Sequence, residues 1–331
     1  MTVYRVEIEP RAPIHQGIHG HAAKSGAVVH SDTLHAALMA VAAATGEDPE
    51  TLRELRLSSL FPCLNSKSFF PKPFLPLPEA VRKAQEEDPQ APRKRWKKAK
   101  LVTEKVLNAW FLGKTSLADC EIHDGVAMLK EEYDSRTWPK SGLLKHGRHT
   151  GVVVDRDSAA ATPYDRNMVY VNTAEKVGLY CLVETDRNKT WLKEQFEKLG
   201  WAGLGGNRSS GLGGFEVTAC TPRQENSPAR ANMFMTLSLY LPTEKEVEDG
   251  VLEAPAAYDC ALRGGWIHGT AGTAHAKHAL RMCVEGSVFR NVTEQHGEVR
   301  DVTPEKFEDH RVWRSGLAFA LPFSHTEEDS S

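Results

Sequence analysis

GLGGNRSSGLGGFEV, residues 203–217, sets six glycines (Gly203, Gly205, Gly206, Gly211, Gly213 and Gly214) around the polar run Asn207-Arg208-Ser209-Ser210. Glycine alone takes positive φ without steric cost and lets another backbone come close. Such a loop can aim several backbone N–H groups and one guanidinium at a phosphate chain. What flanks it decides the fold. Upstream, residues 190–199 (TWLKEQFEKL) put Leu192, Phe196 and Leu199 at i, i+4 and i+7, with lysines and glutamates opposite, which is an amphipathic helix. Asp186 or Asn188 can cap its start, and Gly200 stands where a helix end favours glycine. Downstream, residues 214–219 (GFEVTA) alternate Phe215, Val217 and Ala219 with Glu216 and Thr218, a half-buried strand. The order is helix, glycine loop, strand.

That order is wrong for the common nucleotide motifs. A dinucleotide fingerprint needs strand, G-x-G-x-x-G, helix, so that the pyrophosphate meets a helix N-terminus. Here the sixth residue counted from Gly203 is Arg208, and the loop opens a strand. A P-loop needs Lys and Ser/Thr after its last glycine, whereas Gly211 is followed by Leu212 and Gly213. Neither ATP nor NAD is supported, and no cofactor is expected.

The chain has 331 residues, enough for two domains. With 40% hydrophobic and 26% charged residues it has the balance of an ordinary globular protein. Its longest apolar run, residues 36–44, is too short for a bilayer, and its start reads as a β-strand with no signal-peptide core. Six scattered cysteines without C-x-x-C suit free thiols in a reducing cytoplasm, the expected location. A net charge of −3 argues against nucleic acid, but local patches govern such binding, and residues 93–100 (RKRWKKAK) place six cations around Trp96.

Residues 2–9 are rich in β-formers, and residues 10–29 read as a Gly/His-rich loop. Ser31-Asp32-Thr33 offers N-cap chemistry for a helix with Leu34, Leu38 and Val41 on one stripe. Residues 61–78 hold five prolines, which predicts an ordered loop or extended arm with neither helix nor central strand. Strands are expected at 151–154, 168–172 and 177–184, with a polar hairpin loop at 155–166. Together these make a stretched β-α-β-β-α-β unit. The fold expected is α+β, with two ferredoxin-like (RRM-like) domains. The first, residues 1–220, carries the long insertions and the glycine loop; a linker at 221–230 leads to a smaller one at 231–331.

Three landmarks, in this order along nearly the whole chain, resemble the RAMP superfamily of CRISPR proteins. They are His30-Ser31-Asp32-Thr33-Leu34, Phe69-Phe70-Pro71-Lys72-Pro73-Phe74-Leu75-Pro76, and Gly205-Gly206-Asn207-Arg208-Ser209-Ser210-Gly211-Leu212-Gly213. Arg148 with Asp155-Arg156, and Trp313-Arg314-Ser315-Gly316-Leu317-Ala318, agree more weakly. Within the superfamily the chain is similar to the fourth subunits of type III-A Csm effector complexes. The resemblance implies a cytoplasmic, non-enzymatic RNA-binding subunit that caps the repeat-derived 5′ handle of the guide RNA (crRNA). It also implies contacts with the large polymerase-type subunit and the adjacent backbone RAMP subunit, with target RNA met indirectly.

Single-stranded RNA is gripped by cations, backbone N–H groups and stacking planes. The candidate contacts are Gly205, Gly206, Asn207, Arg208, Ser209, Ser210 and Gly211 in the loop, Arg148, His149 and Arg156 around the hairpin, Lys97 and Lys98 in the basic cluster, and His15. Trp96 is expected to be partly buried. His15, His19, His21 and His30 also admit a rival, a RAMP endoribonuclease that processes repeat RNA with a histidine general base. As a zinc set these histidines lack a rigid element, so no metal is expected. A scaffold that holds only protein partners is the other alternative.

Overall fold

The computed structural model describes residues 1–16, 25–78, 81–83, 93–114, 117, 120–206, 208–224, 228, 231–268 and 274–325. The first half runs β1 (Thr2–Pro10), β2 (Ile14–Gln16), α1 (Ser31–Ala44), β3 (Arg56–Leu57), β4 (Phe61–Leu64), β5 (Lys67–Pro71), α2 (Arg93–Lys98), β6 (Leu101–Thr103), α3 (Glu104–Phe111), β7 (Cys120–His123), β8 (Val126–Leu129), β9 (Leu144–Val154), β10 (Ala161–Val171), β11 (Val177–Thr185), α4 (Lys189–Ala202) and β12 (Phe215–Pro222). The main sheet is ordered β12-β1-β11-β4-β5-β6-β8-β7, with β3 also pairing β11. Its first four strands, read as β1, β4, β11 and β12 with α1 and α4 as the crossovers, have the 4-1-3-2 order of a ferredoxin-like unit. The expected fold is therefore present in the first half.

β11 (VGLYCLVET) explains why this sheet sits at the centre. Leu179, Cys181 and Val183 face one cluster with Val6, Ile8, Leu34, Leu38, Leu192, Phe196 and Leu199, which is the side covered by α1 and α4. Val177, Tyr180 and Leu182 face a second cluster. A strand buried on both faces reads as a continuous apolar run with no alternation. The second cluster holds Phe61, Phe69 and Phe70 and also Met233, Met235, Leu237, Phe319 and Phe323, so the two halves of the chain share one core. Tyr180 is fully buried there and donates its hydroxyl to the Phe69 carbonyl at 2.9 Å. Tyr180→Phe should lower unfolding free energy by about 1–2 kcal/mol, the cost of a buried acceptor left unpaired, as measured by urea denaturation.

Three expectations are corrected. The proline-rich stretch is not an arm at its start: β4 and β5 form a hairpin inside the main sheet, with Phe61, Cys63, Phe69 and Phe70 buried. Pro62 pairs with Leu179 of β11, while the β5 ladder covers only Cys63 and Leu64, and Pro71 ends β5. Proline is tolerated at such ladder ends because its missing N–H breaks no cross-strand bond there. The hairpin loop expected at 155–166 is shorter, confined to 155–160, since residues 161–166 belong to β10 and the two strands pair from Leu144↔Val171 to Val154↔Ala161. That ribbon is exposed along most of its length, so no buried face imposes a period of two on its sequence. Gly200 does not end α4, which continues to Ala202 and is capped by Gly203 at φ +82°. Instead Gly200 is buried where a Cβ would come within 2.5 Å of the Phe215 carbonyl, which lets α4 lie close on β12.

The second half comprises β13 (Met233–Thr236), α5 (Glu244–Glu248), β14 (Cys260–Arg263), β15 (Trp266–His268), β16 (Ala274–Ala276), β17 (Leu280–Cys283), β18 (Val288–Arg290), β19 (Val299–Asp301), β20 (Trp313–Ser315) and β21 (Ala320–Phe323). β13 is the centre of a three-stranded sheet, β18-β13-β21, and the other strands pair as hairpins and ribbons. α5 starts with a capping box between Thr243 and Glu246, and Glu246 also accepts from the buried Tyr240 hydroxyl at 2.9 Å. Half of the expected linker, 225–227 and 229–230, lies outside the described residues, and its first two residues, Thr221 and Pro222, still belong to β12. No described helix is long and apolar enough to cross a membrane.

Candidate RNA interface

α4 begins where the Asn188 side chain accepts from Trp191 N–H at 2.9 Å, and it ends at the glycine loop. The loop is pinned. Leu204 is fully buried, its N–H donates to the Gly213 carbonyl at 2.9 Å, and the Gly213 N–H donates to Pro13 at 3.0 Å. Gly205 bridges His15 of β2, at φ +84°, where a Cβ would come within 2.5 Å of the His15 carbonyl. Gly206 N–H also turns to that carbonyl at 3.4 Å, and Gly211 N–H goes to Arg208. The glycines thus serve close backbone approach, and the N–H groups of Leu204, Gly206, Gly211 and Gly213 point inward. Contrary to the sequence expectation, these donors are not aimed at a phosphate. The exposed chemistry is carried by Arg208 and Ser210 in a 3-10 turn. Asn207 and the Ser209 side chain lie outside the described residues, as do His19 and His21.

β2 joins the loop to the base of the ribbon. His15 pairs with Met168, and Gln16 with Asn167, on β10. Across the ribbon, Asn167 faces Arg148 and Arg166 faces His149. The His15 ring packs where a Cβ on Gly206 would stand. Burial lowers the His15 pKa, and the Arg166 cation beside it lowers it further, so the ring is held neutral at neutral pH. Arg166 is itself placed by the Tyr164 hydroxyl and ring, with its Cζ 4.7 Å from the ring centroid. In an NMR titration the His15 ring should protonate at a pH below the usual histidine value of about 6.5. Arg166→Ala should move that transition upward, without reaching the ordinary value because burial remains.

The fold therefore gathers His15, Gly205, Gly206, Arg208, Ser210, Gly211, Arg148 and His149 at one end of the first half, with Arg166 and Asn167 added. Sequence reading passed over Arg166, which the expected loop at 155–166 hid; its i, i+2 spacing from Tyr164 on a strand was the available signal. Arg148 is 78% exposed, with Asp165 3.9 Å away. Arg156 is not in this cluster. It lies in the turn at the ribbon's tip, eight residues from Arg148, or about 26 Å along a strand. Lys97 and Lys98 are exposed on α2, which leads into β6, four places from β1 in the sheet. Trp96 between the cations is buried edge-on against Trp110 at 5.5 Å, more deeply than the partial burial expected.

The His30–Leu34 stretch does something other than cap. The N-cap position is His30, without a side-chain cap bond, and Asp32 is buried. Its carboxylate takes two hydrogen bonds from Arg263, at 3.0 and 2.8 Å, and Arg314 stands 3.8 Å away. Burial opposes ionisation of Asp32, but Arg263, Arg314 and His30 outweigh it and hold the carboxyl far below the usual range. His30 Nδ1 meets Glu285 at 2.7 Å, Ser59 donates to the same carboxylate oxygen, and Ser31 Oγ accepts from Leu239 N–H at 2.9 Å. This stretch is the knot between the two halves. Among the described residues no group of three or more His, Cys, Asp or Glu could hold a metal ion.

The first half is thus a ferredoxin-like sheet whose last helix and last strand are joined by a glycine-rich loop, with basic side chains gathered around that loop. Residues 229–323 match the family described as the CRISPR Csm4 C-terminal domain. That match is confined to the second half of the chain. The chain is similar in structure to a chain of the Csm3-Csm4 subcomplex in the type III-A CRISPR-Cas interference complex, at 17% identity and TM-score 0.66, over 98% of this chain and 100% of that one. It is also similar to a chain of the Csm1-Csm4 cassette in complex with pppApA, at 18% identity and TM-score 0.60, over 99% and 100%. At these identities the likeness is one of fold. No curated protein sequence matches the chain significantly.

Proposed function

We propose that the chain is an RNA-binding structural subunit of a type III-A CRISPR effector complex. It caps the repeat-derived 5′ handle of crRNA and bridges a Csm1-type large subunit to Csm3-type backbone subunits. The partner assignment draws on the Csm3-Csm4 and Csm1-Csm4 assemblies in which similar chains occur. The observation that carries the RNA assignment is the rigid loop holding Arg208 outward beside the base of the ribbon, where Arg148 and Arg166 sit. Phosphate contacts by such side chains position RNA, while base stacking and base edges supply selectivity. Target RNA is met through the guide.

The subunit performs no chemistry of its own. Of the two described histidines suited to act as base on a ribose 2′-OH, His30 is 4% exposed and tied to Glu285. His15 packs its ring against the loop and serves contact with RNA. Incubated with repeat RNA, the purified protein should leave the substrate intact; clean cutting abolished by His15→Ala would make it the endoribonuclease instead. In filter binding with handle RNA, Arg208→Glu should weaken affinity at least about tenfold, as loss of a charge-assisted contact and like-charge repulsion require. Unchanged affinity would favour a scaffold that holds only proteins.

A further inference from the structure

We propose that Trp201, braced by Arg11, is a stacking platform for one unpaired base of the RNA that the glycine loop holds. Trp201 is the penultimate residue of α4 and is 80% exposed, the most exposed aromatic side chain among the described residues. A tryptophan so open adds almost nothing to the core, and its neighbours place it at the loop. The next residue but one is the helix-capping Gly203, and Arg11 donates its backbone N–H to the Gly214 carbonyl at 2.8 Å. The Arg11 guanidinium lies over the indole, 4.9 Å from the ring centroid, and is fixed from the side by Glu216 at 2.9 Å. One face of the ring is thus covered and oriented, and the other is left to solvent. Because Glu216 neutralises Arg11, the pair offers a flat surface more than a phosphate contact, which suits a base of any identity.

This inference rests on the RNA reading of the loop, and the test separates the two. Handle RNA carrying a single abasic position, moved stepwise along the strand, is bound to the full-length protein and to Trp201→Ala and Trp201→Phe. Trp201→Ala should weaken binding of intact handle about tenfold, within the range for loss of one base–aromatic stack, and Trp201→Phe should restore most of it. One abasic position should weaken the wild-type protein by a similar factor and leave Trp201→Ala unaffected. If Trp201→Ala binds normally while Arg208→Glu does not, the platform is refuted and the RNA grip stands. If neither variant loses affinity, the RNA reading itself falls. If Trp201→Ala keeps RNA but releases a partner subunit in a pull-down, the ring is a protein contact and the platform is likewise refuted.

A second, independent observation lies in the other half. Cys260 of β14 and Cys283 of β17 are directly opposed, with their sulfurs 3.8 Å apart. The Cys283 N–H and carbonyl both bond to Tyr240, and the adjacent ladder bond runs from Val284 N–H to Asp259. The two cysteines therefore form a non-hydrogen-bonded pair, the register that brings opposed side chains closest. The geometry points to an oxidisable dithiol. The hydrogen bond between the two sulfurs lowers the Cys260 pKa below the usual thiol value and raises that of Cys283. With oxidised glutathione, the Cys260 thiolate attacks one sulfur and expels one glutathione thiolate. Cys283 then attacks Cys260 of the mixed disulfide, expelling the second, and its proton goes to that leaving group. Intact-mass analysis of the treated protein should show loss of two hydrogens, Cys283→Ser should stop at a glutathione adduct, and Cys260→Ser should stay unmodified. Wild-type protein that keeps both thiols, or two glutathione adducts, would overturn the assignment.

Discussion

Asp32→Ala should destabilise the protein by about 3–5 kcal/mol, the cost of breaking a buried ion pair by removing one partner. Arg314 is 5% exposed and Arg263 only 13%, so neither guanidinium can escape to water when the carboxylate is lost. Arg263 would also lose both of its bonds to Asp32, keeping among the described residues that to Thr33 Oγ1 at 3.0 Å. Urea unfolding of the full-length chain measures this, and a loss below about 1 kcal/mol, the value of an exposed pair, would show that the knot does not hold the halves together. The pH dependence follows from the lowered Asp32 pKa. A depressed carboxylate contributes stability that is complete above the unfolded-state value of about 3.9 and is lost progressively as pH falls below it. Wild type should therefore lose stability toward Asp32→Ala on acidification, and the two curves should converge.

The second large effect is at Gly213. It has φ +73°, and an added Cβ would overlap the Leu204 carbonyl oxygen. The neighbour is backbone, so it cannot swing aside. Gly213→Ala should push residues 204 and 213 apart, break the Leu204–Gly213 and Gly213–Pro13 hydrogen bonds, and displace Arg208. About 1–3 kcal/mol of conformational strain adds to about 1 kcal/mol for each bond lost. Handle RNA binding should fall more than tenfold while the sheet, judged by circular dichroism, persists. Gly211→Ala is the matched control: its φ is +77°, but nothing lies within 4 Å of an added Cβ, so only the conformational strain applies. Equal effects at the two positions would mean that the loop is not locked by close backbone approach.

What could be read from the sequence was whatever had a local cause. The helix, glycine loop and strand at 189–222 follow from side-chain spacing and from glycine, and they appear within a few residues of where they were expected. Burial of Trp96 was legible because six cations cannot be buried while one indole can. Three features were hidden for physical reasons. The β4–β5 hairpin carries prolines that are harmless only because of where the ladders stop, which is a property of pairing. The β9–β10 ribbon is solvated on both faces over most of its length and so leaves no periodicity there. Asp32 looked complete as a helix-cap residue because its real partners, Arg263 and Arg314, are more than two hundred positions away in the chain. The candidate interface shows the same division: Arg208 was visible from the loop itself, whereas Arg166 joins it only through the β2–β10 register.

In the proposed function, a rigid loop presenting Arg208 grips one defined end of a guide RNA. The most direct measurement is sequencing of the 5′ ends of RNA that co-purifies with the chain when it is expressed together with its neighbouring subunits. The RNA-grip reading predicts molecules sharing a single fixed 5′ end, and loss of that RNA with Arg208→Glu while the protein partners remain. Random 5′ ends, or undiminished RNA carried by Arg208→Glu, would contradict it.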